Sequence, residues 1–258
     1  MSSGAGRAVA TDRQQKPEPN INERLIVALD VPSVVEARKL VQELDRVVCF
    51  FKVGLYLQLA EGIEKFIDDL IRDGNKIFID YKYGDIGASM KGGVAAAARR
   101  GINFLTVQGS GELTKEVMKA ALAGKGDSDL KLFFVTLLTS LDESDLRDLG
   151  RRSSVETIVL SRAKQALEIG FDGVIASGLE ARAIRKLAGP DRFLIVTPGI
   201  RPAGAGLDDH KRAVTPAEAI KEGADYLVVG RPIIKDPNPR AAARQILDEM
   251  SAAFDSRP

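Results

Sequence analysis

The chain has 258 residues, 45% of them apolar, no tryptophan and only 5% aromatic, which suits one α/β domain with a large aliphatic core. Its 37 basic and 36 acidic residues are well mixed and leave a net charge of +1, which excludes the basic patch of a nucleic-acid or membrane-surface binder. A lone Cys49 excludes internal disulfides and cysteine zinc sites, and no apolar run reaches the roughly 18 residues of a transmembrane helix.

Residues 1–22 are rich in Gly, Ala, Arg, Gln and Pro and lack the apolar centre of a secretory signal. They read as an unstructured tail ahead of a single domain over 23–258, and the expected compartment is the cytoplasm. From there short apolar runs alternate with helical patterns. A strand over 25–29 ends in Asp30-Val31-Pro32-Ser33, and Ser33 is placed to cap a helix running to 44. A strand over 47–53 precedes a helix over 56–72, and one over 76–82 precedes a helix over 89–100. The next pairs are 104–107 with 112–122, 132–137 with 155–168, and 174–176 with 179–187. The last two are 193–196 with 216–222, and 227–229 with 239–254. Most of these strands are apolar throughout, as in a parallel sheet covered on both faces. Eight strand–helix units in a chain of this length fit a closed (β/α)8 TIM barrel. The alternative is an open doubly wound sheet, but its first turn is commonly glycine-rich, and here that turn reads Asp-Val-Pro-Ser.

In a barrel the chemistry lies at the C-terminal ends of the strands. Asp80-Tyr81-Lys82-Tyr83-Gly84-Asp85 is the most telling of these ends. Strand alternation puts Asp80 and Lys82 on one face, and Asp85 follows in the loop. Asp30 and Lys52 end the neighbouring strands. Alternating opposite charges keep the carboxylates ionised and the lysines protonated. The product is a fixed cation that can meet developing negative charge and donate a proton to it. After the fifth strand come Thr139 and Ser140. After the seventh comes Thr197-Pro198-Gly199-Ile200-Arg201-Pro202, and after the eighth Gly230-Arg231-Pro232-Ile233. The last two loops are where barrels commonly hold phosphate, and Arg231 adds a forked donor suited to it. Gln108, at the end of the fourth strand, has no assigned role.

Taken together, these motifs resemble the orotidine 5′-phosphate decarboxylase family over residues 25–247. The pieces are Leu29-Asp30-Val31, Phe51-Lys52-Val53-Gly54, Asp80-x-Lys82-x-x-Asp85, Leu138-Thr139-Ser140, the segment from Thr197 to Pro202, Asp208-Asp209-His210-Lys211-Arg212 and Gly230-Arg231-Pro232-Ile233. The resemblance implies a decarboxylase that makes UMP in the last step of de novo pyrimidine synthesis, with no metal and no organic cofactor. It implies that Lys82 donates the proton to C6 and that Asp80 stands beside the substrate carboxylate. Lys52 would link Asp80 to the ribose hydroxyls, which Asp30 also contacts. Asp85 would cross a homodimer interface into the neighbouring site, with Ile86 and Ser89. Thr139 would sit near the base, and Arg201, His210, Gly230 and Arg231 would hold the phosphate region. The chain departs from the usual pattern at Gly87-Ala88-Ser89, at Gln108-Gly109 and at His210, where a glutamine is usual. Two other functions fit a barrel of this kind. A keto-sugar-phosphate relative would need a metal, and no added histidine or acidic set stands near the fifth strand. A barrel that only binds a sugar phosphate would not need the complete Asp80-Lys82-Asp85 set.

Overall fold

The computed structural model describes residues 20–108, 115–189, 193–203 and 212–256. Eight strands close in sequence order into a barrel: β1 (Leu25–Ala28), β2 (Phe50–Val53), β3 (Lys76–Tyr83), β4 (Phe104–Gln108), β5 (Lys131–Val135), β6 (Gly173–Ile175), β7 (Leu194–Thr197) and β8 (Tyr226–Val229). Each pairs in parallel with its neighbour, and β8 returns to β1. Around them lie α1 (Val34–Leu44), α2 (Ile63–Arg72), α3 (Gly87–Arg99), α4 (Lys115–Lys125), α5 (Glu143–Asp148), α6 (Val155–Ile169), α7 (Gly178–Ala188), α8 (Pro216–Lys221), α9 (Arg231–Ile234) and α10 (Pro239–Asp255). This is the expected (β/α)8 barrel. Among the described residues, no helix is long and apolar enough to cross a membrane.

Period-two alternation sorts the strand residues into two cores. Outward residues such as Val27, Phe51, Ile77, Leu105, Leu132, Val174, Ile195 and Leu227 join the helices in one large cluster. Inward residues form a second, separate cluster: Ile26, Ala28, Phe50, Phe78, Phe104, Phe133, Val196, Tyr226 and Val228. Phe50, Phe78, Phe104, Phe133 and Tyr226 give this inner cluster an aromatic centre. Phe104 lies 4.8 Å from Phe50, 4.5 Å from Phe133 and 5.0 Å from Tyr226 between ring centroids. The barrel is therefore filled across its middle, and its polar residues are confined to the layer above.

Local signals fix the helix starts. The Ser33 hydroxyl accepts the Glu36 N–H at 3.2 Å, as its position implied. Thr215 and Glu218 form a reciprocal capping box ahead of Pro216. Asn20 caps a short 3-10 turn over Ile21–Glu23, so part of the expected tail is ordered. Helix α2 starts at Ile63, well after the expected 56, because Gly62 ahead of it takes φ 76° and breaks the helical path. Leu55, Tyr56 and Leu59, whose spacing suggested helix, stand exposed in the preceding turns. Helices α5 and α9 were not anticipated; at six and four residues they are too short to show a period. The expected start of α4 at 112 lies outside the described residues. On the outer face, Asp69 of α2 receives Arg38 of α1 at 2.6 Å, Arg72 at 2.8 Å and Lys65 at 3.0 Å, which ties the first two helices together. These three cations, Arg38 foremost, hold the Asp69 carboxyl well below the usual carboxylate range.

Candidate active site

The inward positions continue upward by twos. Ala28 is followed by Asp30, Phe50 by Lys52, Phe78 by Asp80 and Phe104 by Thr106. The strand period thus sets a polar layer directly above the apolar one. β1, β2 and β3 are adjacent, so their charges form a chain. Lys52 Nζ lies 3.2 Å from Asp30 Oδ1 and 3.4 Å from Asp80 Oδ2, and Lys82 Nζ lies 3.0 Å from Asp80 Oδ1. Both Lys52 and Asp80 are largely buried. Burial works against the Lys52 ammonium, but Asp80 and Asp30 outweigh it and raise its pKa. Burial also opposes ionisation of Asp80. Lys52, Lys82 and a hydrogen bond from Thr106 outweigh it, so that the Asp80 pKa falls below the ordinary value. The group is held as alternating charges.

Lys82 reaches this position by a route that simple alternation does not predict. Its φ is 52°, in the left-handed region that a residue with a side chain seldom occupies. The β3–β4 register jumps from Ile79 opposite Leu105 to Tyr83 opposite Val107, so β3 carries a bulge. A bulge re-aims side chains beside a site. Here it swings Lys82 back over Asp80. Thr106, fully buried, fixes the arrangement: its hydroxyl accepts the Lys82 N–H at 2.9 Å and donates to Asp80 Oδ1 at 3.1 Å. Gly54 lets the loop after β2 pass close by, because a Cβ there would meet Lys52 Nζ at 3.0 Å and Asp30 Oδ1 at 3.3 Å.

These charges line a cavity of about 450 Å³ at the C-terminal mouth of the barrel. Ala28, Phe78, Ile175 and Val228 give it an apolar floor. Leu137, Leu138, Thr139 and Ser140 form one wall, and Pro198, Gly199, Arg201, Gly230 and Arg231 form another. Arg201 and Thr139 are buried. A second cavity of about 460 Å³ lies behind the β5 end and is lined by Gln108, Leu146, Arg151 and Arg162 among others. Among the described residues no acidic residue or lysine lines it, whereas the chain of charges lines the first.

Of the residues expected in the site, the cavity brings together Asp30, Lys52, Asp80, Lys82, Thr139, Arg201, Gly230 and Arg231. Asp85, Ile86 and Ser89 do not line it. All three are exposed at the tip of the loop after β3 and the start of α3, where Asp85 Oδ1 accepts the Ile86 N–H at 2.6 Å. His210 lies outside the described residues. Three contributors were missed in the sequence. Thr106 was legible from its parity with Phe104. Lys235, at the end of α9, lines the cavity one helical turn after Arg231, a spacing the sequence displays. Tyr56 also lines the cavity, from turns misread as helix.

A negatively charged small molecule fits such a cavity, which is lined by two arginines, a carboxylate flanked by two ammonium groups and an apolar floor. Comparison with known proteins agrees with this. Residues 23–246 match the family model described as Orotidine 5'-phosphate decarboxylase / HUMPS family. The chain is 51% identical over 232 residues to an orotidine 5′-phosphate decarboxylase of Nitrobacter winogradskyi, covering 90% of this chain and 94% of that one. It is 47% identical over 234 residues to the one from Afipia carboxidovorans, covering 91% and 97%. The crystal structure of orotidine 5′-phosphate decarboxylase from Lactobacillus acidophilus superposes with a TM-score of 0.75 at 38% identity, covering 88% of this chain and 99% of that one.

Proposed function

Since the chain belongs to the orotidine 5′-phosphate decarboxylase / HUMPS family, we propose that it is a carboxy-lyase that converts orotidine 5′-phosphate to UMP and CO2, the last step of UMP biosynthesis. The observation that carries this reading is the Asp30–Lys52–Asp80–Lys82 chain of charges in a cavity that Arg201 and Arg231 also line. Cleaving the bond between C6 and the carboxylate leaves an electron pair on C6, in the ring plane, where the π system cannot accept it. The site must meet that charge electrostatically. Lys82 presents an ammonium held 3.0 Å from Asp80, and its Nζ proton passes to C6 as CO2 leaves. Solvent then restores the proton on Lys82. Asp80 stands beside the place of the substrate carboxylate and repels it, while Lys52 keeps Asp80 ionised and, with Asp30, faces the ribose hydroxyls. The phosphate lies against Arg201, Gly230 and Arg231, and binding energy gained there holds the reacting end in place. Thr139 and Ser140 border the base.

The same reading makes the protein a homodimer whose Asp85, Ile86 and Ser89 serve the partner's site. Supporting this, Ile86 is 71% exposed and Leu59, in the turns after the neighbouring strand β2, is 95% exposed. Together with Leu55 and Tyr56 they leave apolar side chains bare beside the cavity mouth, as an interface requires. The deciding experiment follows the ultraviolet absorbance of orotidine 5′-phosphate with purified protein, with and without a chelator. Rapid loss of the substrate band in both samples is expected. No loss in either would refute the decarboxylase reading. Activity that vanishes on chelation and returns with magnesium would assign the chain to keto-sugar-phosphate chemistry instead.

A further inference from the structure

Arg212 lies outside the cavity, yet it is the point where three segments around the cavity meet. The chain leaves β7 through Arg201 and returns through residues 212–214, where Ile200 bridges Val214 and the Arg201 N–H donates to the Val214 carbonyl at 2.9 Å. Arg212 stands at that return point. The Ser177 hydroxyl, at the start of α7, donates to its carbonyl at 2.9 Å. Its guanidinium donates to Glu180 Oε2 of α7 at 2.8 Å and to the carbonyl of Leu138 at 3.0 Å. Leu138 directly precedes Thr139 and lines the same cavity as Arg201 and Arg231.

This ion pair is buried, with side-chain exposures of 7% for Arg212 and 8% for Glu180. Buried pairs are poor sources of stability, because desolvation cancels most of the attraction. The Arg212 Nε is also buried without a partner among the described residues. The geometry fits a device that holds two walls in register, and fits less well one that adds stability. We infer that Arg212 is a positioning residue, which fixes the Leu138–Ser140 wall at a set distance from the arginine end so that a ligand spanning both is met at both ends at once. This rests on the decarboxylase reading, in which that ligand is a pyrimidine 5′-nucleotide. Arg212 itself does not touch the substrate.

The test compares UMP, whose base reaches the Leu138–Ser140 wall, with ribose 5-phosphate, which lacks the base and so does not meet that wall. Arg212→Lys keeps a cation for Glu180 but lacks the fork needed to hold the Leu138 carbonyl as well. Losing that one bond should weaken UMP binding by about tenfold. Ribose 5-phosphate affinity should change less than about twofold, and thermal stability should stay near wild type. Glu180→Gln, which retains the guanidinium but frees it from its anchor, should shift the UMP-to-ribose-5-phosphate ratio in the same direction. If neither variant alters that ratio, the positioning role is wrong. If both ligands weaken equally, Arg212 serves only the phosphate end or the fold, and the role is again wrong. Wild-type turnover of orotidine 5′-phosphate in the same preparation separates these failures from a failure of the decarboxylase reading itself.

Discussion

Thr106 offers the sharpest test of how the site is assembled. Its hydroxyl both accepts from the backbone of Lys82 and donates to Asp80. Thr106→Val keeps the shape of the side chain and removes both bonds. A hydrogen bond to a charged group contributes about 1.5–3 kcal/mol, and leaving a part-buried N–H without its acceptor costs at least about 1 kcal/mol. Unfolding free energy should therefore fall by about 3 kcal/mol, measured by urea denaturation. The stranded N–H belongs to the residue with φ 52°, so the bulge that carries Lys82 over Asp80 loses its anchor. Turnover of orotidine 5′-phosphate should fall at least about tenfold, equivalent to 1.4 kcal/mol on the barrier. Thr106→Ser keeps the hydroxyl and loses one methyl, worth about 0.8 kcal/mol of burial, so it should stay close to wild type in turnover. A valine variant that matches wild type in both urea midpoint and turnover refutes the idea that this hydroxyl holds Lys82 in place.

Lys82→Ala should lose essentially all decarboxylase activity while its circular dichroism and melting temperature stay close to wild type, since Lys82 lies at the cavity rim and not in the core; substantial residual turnover in the folded variant contradicts its role as proton donor. Arg231→Ala should raise KM for orotidine 5′-phosphate by about 10–100-fold, the loss of a charged phosphate contact, and unchanged kinetics would place the phosphate elsewhere. Mixing Asp85→Ala with Lys82→Ala should restore activity toward half the wild-type value per mixed dimer, because one of its two sites then carries neither defect; verified mixed dimers that stay inactive show that Asp85 works in its own chain or not at all. Asp69→Asn should lower the melting temperature at neutral pH. Because the folded Asp69 pKa is depressed, its contribution is fully present above the unfolded value of about 3.9 and is lost as pH falls further toward the folded pKa. The gap between variant and wild type should accordingly close in acid, and a gap that persists at low pH excludes ionisation of Asp69 as the cause.

The barrel was legible because eight apolar runs alternate with helical patterns, and parallel sheets require that burial on both faces. The charged residues were legible because carboxylates and lysines at the ends of three consecutive strands make little sense unless they meet. What remained hidden had specific physical reasons. The path of Lys82 depends on a bulge that only the pairing of β3 with β4 reveals. Thr106 resembles any strand threonine until its parity with Phe104 is noticed. Leu55, Tyr56 and Leu59 have helical spacing, yet Gly62 stops that helix from forming early. Arg212 reads as one more charge in a basic run, and nothing local indicates that it reaches a carbonyl 74 residues away in sequence.

The ring of Phe50, Phe78, Phe104, Phe133 and Tyr226 beneath the charges has an electrical consequence. It polarises weakly, so it acts as an insulating plate under one side of the site. Lines of force from Lys52 and Lys82 cannot spread downward and be dissipated there; they bend up into the cavity, as they do in clefts with low-dielectric walls. An ammonium mounted on such a plate acts on an anion above it more strongly than the same group would in water. These aromatic residues thus set how far the lysines' influence reaches. A polar, hydrated barrel interior would leave every distance in the site unchanged and still blunt its field.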